Sequence, residues 1–76
     1  MNRDRRKRLK QAIDRITEAS GIVEEVMDEE QDSFDNLPEG LADGPTGERL
    51  EENVDTLGDV LSSLGEAIDG IEEVVG

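Results

Sequence analysis

Residues 33–47, SFDNLPEGLADGPTG, hold both prolines, three of the eight glycines and the single aromatic residue, Phe34. Pro38 keeps Leu37 out of helical backbone space, and its ring and missing N–H end any helix arriving from the N-terminal side. Asp43-Gly44-Pro45 reads as a helix start, with Asp43 or Gly44 as N-cap and Pro45 in the first turn, where an absent donor costs nothing. A stop followed so closely by a start predicts an elbow over residues 36–44.

Both segments flanking the elbow keep a helical repeat. On the N-terminal side, Leu9, Ile13, Ile16, Ser20, Val23, Met27, Glu30, Phe34 and Leu37 alternate four and three residues apart, and only Ser20 and Glu30 interrupt this seam. On the C-terminal side, Leu50, Val54, Leu57, Leu61, Leu64, Ile68, Ile71 and Val75 repeat the alternation without a break. The spacing predicts a first helix over about residues 2–35, roughly 50 Å long, and a second over about 45–75. Phe34, Leu37 and Leu41 are expected to fold over the end of the apolar stripe as a hydrophobic plug.

Each seam is also widened on the same heptad side, by Ala12, Ala19 and Val26 in the first helix and by Val60, Ala67 and Val74 in the second. Two helices that pack only on each other need two apolar columns. The third column predicts an all-α antiparallel helical hairpin, a single domain over residues 1–76, that pairs into a dimeric four-helix bundle; a groove for a foreign helix produces the same pattern. The expected packing and dimer residues are Val54, Leu57, Gly58, Leu61, Leu64, Gly65, Ile68 and Ile71. Gly58 and Gly65, seven apart beside the seam, each sacrifice about 1 kcal/mol of helix propensity relative to alanine. Close approach of a partner helix gives that loss a purpose, whereas Gly21 and Gly70 lie off the seam.

Composition narrows the chemistry. Seventy-six residues without cysteine, histidine, tryptophan or tyrosine make one small unit that forms no disulfide and offers only carboxylates to a metal. Chains this short ordinarily need an external support, and self-association is the one left. No cofactor is expected. Asp28 to Glu39 places acids at positions 1, 3, 5 and 12 of a calcium-loop frame, but Ser33 stands where that loop needs glycine and Pro38 interrupts it, so no calcium site is read here. No nucleophile–base pair and no phosphate-cradling glycine loop is present, and the expectation is a protein without enzymatic activity. The absence of any 18-residue apolar run predicts no membrane segment, and the cytoplasm is the expected compartment.

The run EEQDSFDNLPEGL followed by GERLEE resembles a family of small uncharacterised acidic helical proteins of Gram-positive phages and mobile elements. The family pattern is near EEQ-x-A-F-D-N-L-P-E-x-L-x-x-S-x-x-G-E-x-M-E-E, matched here by Glu29, Glu30, Gln31, Phe34, Asp35, Asn36, Leu37, Pro38, Glu39, Leu41, Gly47, Glu48, Glu51 and Glu52. Gly44 replaces the expected capping serine and Leu50 the usual methionine, which implies a weaker cap. The motif covers about a third of the chain. The family has no established activity; the resemblance implies a phage or mobile-element setting, a host-cell cytoplasm, and the prior that small acidic phage proteins often inhibit host defence.

Charge is segregated. Residues 1–15 carry seven basic and two acidic side chains, and residues 16–76 carry Arg49 against nineteen acids, so +5 is followed by −18 in a chain of net charge −13. The basic arm of Arg3, Arg5, Arg6, Lys7 and Arg8, extended by Lys10 and Arg15, sits at a helix N-terminus, where positive charge is unfavourable and an acidic partner is expected. Asp69, Glu72 and Glu73 of a folded-back second helix, the acidic elbow of a head-to-tail dimer partner, and nucleic acid all qualify. Direct nucleic-acid binding is disfavoured by the net charge and by the lack of stacking aromatics. The acidic elbow of Asp28, Glu29, Glu30, Asp32, Asp35, Glu39, Asp43 and Glu48 reads either as a solvated face or as an imitation of a phosphate backbone aimed at a basic nucleic-acid-binding protein. The functional expectation is a non-enzymatic acidic protein-binding module, specifically a phage-encoded inhibitor of a host defence or nucleic-acid-handling protein; the alternative is a self-associating scaffold bundle with no inhibitory role.

Overall fold

A computed structural model describes all of residues 1–76. Three helices follow in order, α1 (Arg3–Asp35), α2 (Glu39–Ala42) and α3 (Pro45–Val75). The long pair, α1 and α3, folds back as an antiparallel hairpin in a rod of 59 × 15 × 13 Å.

Each helix boundary has a local cause. Asn2 caps α1 by accepting the Arg5 N–H on its Oδ1 at 2.8 Å, which satisfies one of the orphan donors of the first turn. At the other end Asn36 closes the helix twice, its backbone N–H and its Nδ2 both donating to the Asp32 carbonyl at 3.0 and 2.8 Å. Pro38, in extended backbone, then starts one helical turn: its carbonyl accepts from Leu41 N–H at 2.9 Å and Ala42 N–H at 3.2 Å. Gly44 is the N-cap of α3 and offers no side-chain oxygen, while Pro45 occupies the first turn. The elbow is therefore a stop, a single turn and a restart.

The seam expected from spacing is the covered side of both helices. Leu9, Ile13, Ile16, Ser20, Val23, Met27, Glu30, Phe34 and Leu37 are half-buried, and so are Leu50, Val54, Leu57, Leu61, Leu64, Ile68, Ile71 and Val75. Backbone hydrogen bonding does not hold the two helices to each other, since it runs within helices and through the elbow. The hold is apolar contact along the seam plus one polar tie, Asn53 Nδ2 donating to Glu30 Oε2 at 2.9 Å. That tie reports the register. Counting back equally from the elbow, Phe34 is level with Leu50, Ser20 with Leu64 and Leu9 with Val75.

Two expectations need correction. Leu41 is 51% exposed, so the plug consists of half-buried Phe34 and Leu37 without it; the turn of α2 directs Leu41 outward. Gly58 and Gly65 have nothing within 4 Å of where a Cβ would stand, so α1 does not use them for close approach. The close contact lies at Gly47 instead, the only buried residue of the chain, where a Cβ would stand 2.6 Å from the carbonyl carbon and 2.8 Å from the Cα of Ala42. Gly47 is the seam position immediately before Leu50, level with Leu37. Glycine there lets α2 fold flat onto the start of α3.

No apolar side chain is fully buried, and the chain exposes 5763 Å². A compact monomer of 8.3 kDa exposes about 4,600 Å². The hairpin leaves about 1,200 Å² more than that uncovered.

Candidate functional site

The charged side chains fall into separate territories because the seam fixes which way each helix faces. Acids at three- and four-residue steps run along the back of each helix, Glu25, Asp28, Asp32 and Asp35 on α1 and Glu48, Glu52, Asp55 and Asp59 on α3, all exposed. The two backs point away from each other, on opposite edges of a rod whose helices are each about 10–12 Å thick. Both rows converge on the elbow, where exposed Glu39 and Asp43 join them. A shallow hollow beside the α3 row is lined by Glu48, Glu51, Glu52 and Asp55 alone. Nowhere do three acids gather closely enough to hold a metal ion.

Of the acids expected at the binding surface, Asp28, Glu29, Asp32, Asp35, Glu39, Asp43 and Glu48 are exposed. Glu30 is not part of that surface. It occupies a seam position, is half-buried and accepts from Asn53, so its carboxylate is turned toward α3. Asp35 is partly engaged by Gln31, whose Nε2 donates to its Oδ1 at 2.9 Å. Glu25 and Asp59, absent from the expected set, extend the two rows by one step each; the three-and-four spacing from Asp28 and Asp55 was the available signal.

The basic arm is placed differently from one of its expected arrangements. Asp69, Glu72 and Glu73 do not neutralise it: the only ion pair in the chain is Arg8–Asp4 at 3.1 Å, one turn apart within α1 and largely exposed. Register explains this. With Val75 level with Leu9, α3 ends short of residues 3–8, and Arg3, Arg5, Arg6, Lys7 and Arg8 overhang as a single exposed helix end. Asp69 and Glu73 also lie on the back of α3, facing away from α1. An exposed pair such as Arg8–Asp4 is worth only about 0.3–0.5 kcal/mol.

Repulsion within the hairpin is consequently almost unopposed. Raising ionic strength from low to moderate is expected to lift the thermal midpoint by a few degrees, because screening relieves acids crowded at the elbow and has one weak attraction to remove. The measurement is a melt at the lowest usable protein concentration, and a midpoint that falls with salt contradicts this charge map.

No family model, curated protein or solved structure matches the chain. No helix is long and apolar enough to cross a membrane.

Proposed function

We propose that the chain is a non-enzymatic binding protein that pairs into a dimeric four-helix bundle and presents its acidic elbow end to a basic groove of a nucleic-acid-handling protein. Within that class, the specific reading is a phage-encoded inhibitor of a host defence protein, acting in the host cytoplasm. The observation that carries it is the pair of outward acid rows on opposite edges of a narrow rod, none of whose acids forms an ion pair within the chain. Two lines of negative charge separated by the thickness of two helices have the general form of a duplex backbone, and a groove built for phosphates attracts them for the same reason. The elbow motif supplies the phage setting.

A second reading, a self-associating scaffold bundle, is favoured by the exposed apolar column alone. The two separate by experiment. A tagged chain is incubated with host lysate at low and moderate salt, and the captured protein is then titrated against a variant carrying Asp32→Lys, Glu51→Lys and Glu52→Lys. Affinity is expected to fall about a hundredfold or more, since like charges placed across an interface cost several kcal/mol. A control with Glu66→Lys and Glu73→Lys, away from the elbow, is expected to keep most of its affinity. Equal losses in both variants, or capture of no partner at either salt, sink the mimicry reading and leave the scaffold.

A further inference from the structure

We propose that two copies of this chain pack end for end through one defined face, so that the overhanging basic arm of each α1 lies over the acidic elbow end of the other. This rests on the dimeric reading above and adds its face, its sense and its charge contacts.

The face is marked by exposure. Six large apolar side chains are exposed; Met1 and Leu41 sit at the two ends, and the remaining four are Ile22, Val26, Val60 and Val74. Heptad geometry puts all four on the same side of the hairpin, because the flanking columns of two antiparallel helices meet on one side of their seam. A shallow depression lined by Val26, Glu30, Asn53, Thr56 and Leu57 spans the seam there. On α3 the stripe Thr56, Val60, Ser63, Ala67, Gly70 and Val74 carries no charge in a chain that is 38% charged. Water-facing helix surfaces of such a chain have no reason to stay neutral over five turns, whereas a covered one does.

On α1 the same face changes sign along its length. Arg5, Arg8 and Arg15 occupy its open end. Ala12, Ala19, Ile22 and Val26 occupy its middle. Glu29 follows at the elbow end. Such a stripe complements itself only when reversed. A two-fold axis beside Ala19 makes Val26 level with the partner copy's Ala12 position, Arg8 level with its Glu29 region and Arg5 with its Ser33 region. The overhang of each arm then has the other copy's elbow beneath it. A parallel pairing stacks arginine on arginine and adds two strongly acidic elbows side by side.

Two further facts point to the same occupant. The charge order of α1 opposes its macrodipole at both ends, basic at the N-terminus and Asp32 and Asp35 at the C-terminus with no basic residue in the last turn. Charges set against helix stability answer to something outside the helix. The surplus exposed area of about 1,200 Å² also exceeds the roughly 800 Å² that each partner of a standard interface contributes. The outward acid rows stay uncovered in this arrangement, and Gly58 and Gly65 lie on the other side of the seam.

The chain has no cysteine, so single cysteines introduced by Ala19→Cys and, separately, Ser33→Cys can each take a nitroxide spin label on the full chain. End-for-end pairing places the two labels at residue 19 within about 20 Å of each other and the two at residue 33 about 40 Å apart, from the rise of 1.5 Å per residue. Short distances at both positions mean a parallel pair and overturn the proposal while leaving a dimer standing. No dipolar coupling at either position means a monomer, which removes the dimer and the proposal together and leaves the face to a foreign helix. Arg5→Glu with Arg8→Glu is expected to weaken association at least tenfold and Glu29→Arg in the same chain to restore it; unchanged association in the first variant overturns the charge contacts.

Discussion

Gly47→Ala is expected to lower the thermal midpoint by at least about 12 °C. A Cβ at residue 47 meets the backbone of Ala42 and no flexible side chain, with 2.6 Å to the carbonyl carbon and 2.8 Å to Cα. Backbone cannot swing aside as a side-chain tip does. Either α2 lifts off α3, taking the half-buried Leu37 with it, or α3 shifts along the seam and every seam residue changes its neighbour. Overpacking of this kind costs about 3 kcal/mol, and a domain of this size loses about 4–8 °C per kcal/mol. The chain has little stability to draw on, since no apolar side chain is fully buried. The same substitution at Gly58 or Gly65 is expected to raise the midpoint, because a Cβ meets nothing within 4 Å there and alanine favours the helix by about 0.8–1 kcal/mol. Opposite signs for one chemical change at three glycines, read by circular dichroism melts of four proteins, isolate the close contact as the cause. A Gly47→Ala chain that melts with the parent shows that α2 does not press on the start of α3.

Much of this architecture is legible in the sequence because a seam needs only periodicity, and periodicity survives without neighbours. The three-and-four alternation identified every half-buried seam residue from Leu9 to Leu37 and from Leu50 to Val75. Pro38 and Pro45 announced the elbow through backbone restrictions that belong to proline itself. Features that depend on register stayed hidden. The overhang of the basic arm follows from where α3 ends relative to α1, which the path of the chain through the elbow sets and the contact of Asn53 with Glu30 across the seam reports. The single turn of α2 is too short to carry a period. Gly47 looked like one turn glycine among three, although its place one seam step before Leu50 marked it as the glycine that faces Leu37. Glu30 shows how a local reading misleads: its neighbours Asp28, Glu29 and Asp32 are surface acids, yet the seam rule assigns it to the interior side.

Glu30 and Ser20 together support the last expected result: the double variant Ser20→Leu, Glu30→Leu should melt about 2–4 °C above the parent. Both residues are half-buried at seam positions, with Ser20 level with Leu64 and Glu30 level with Val54. Ser20 contributes nothing across the hairpin, since its Oγ donates to the Ile16 carbonyl of its own helix at 2.9 Å. A fully buried leucine is worth about 1.5–3 kcal/mol, so a half-covered one contributes about 1 kcal/mol at each position, and the midpoint follows at about 4–8 °C per kcal/mol. Against this stands the loss of the Asn53 bond, a part-buried neutral–charged contact worth about 1.5 kcal/mol, the low end for a charged partner because water can replace it. Removing one acid from the crowded elbow offsets part of that loss. The gain in stability should come with a loss of definition, because Asn53–Glu30 is the one polar contact that distinguishes the native register from a slip by a heptad. Broader amide resonances at a higher midpoint are the combined signature, and a lower midpoint places Glu30 outside the seam. Partner binding supplies the final discrimination: Glu30→Leu alone should leave it within about twofold, whereas reversal of Asp32, Glu51 and Glu52 should weaken it about a hundredfold or more, since only the latter present their charge outward.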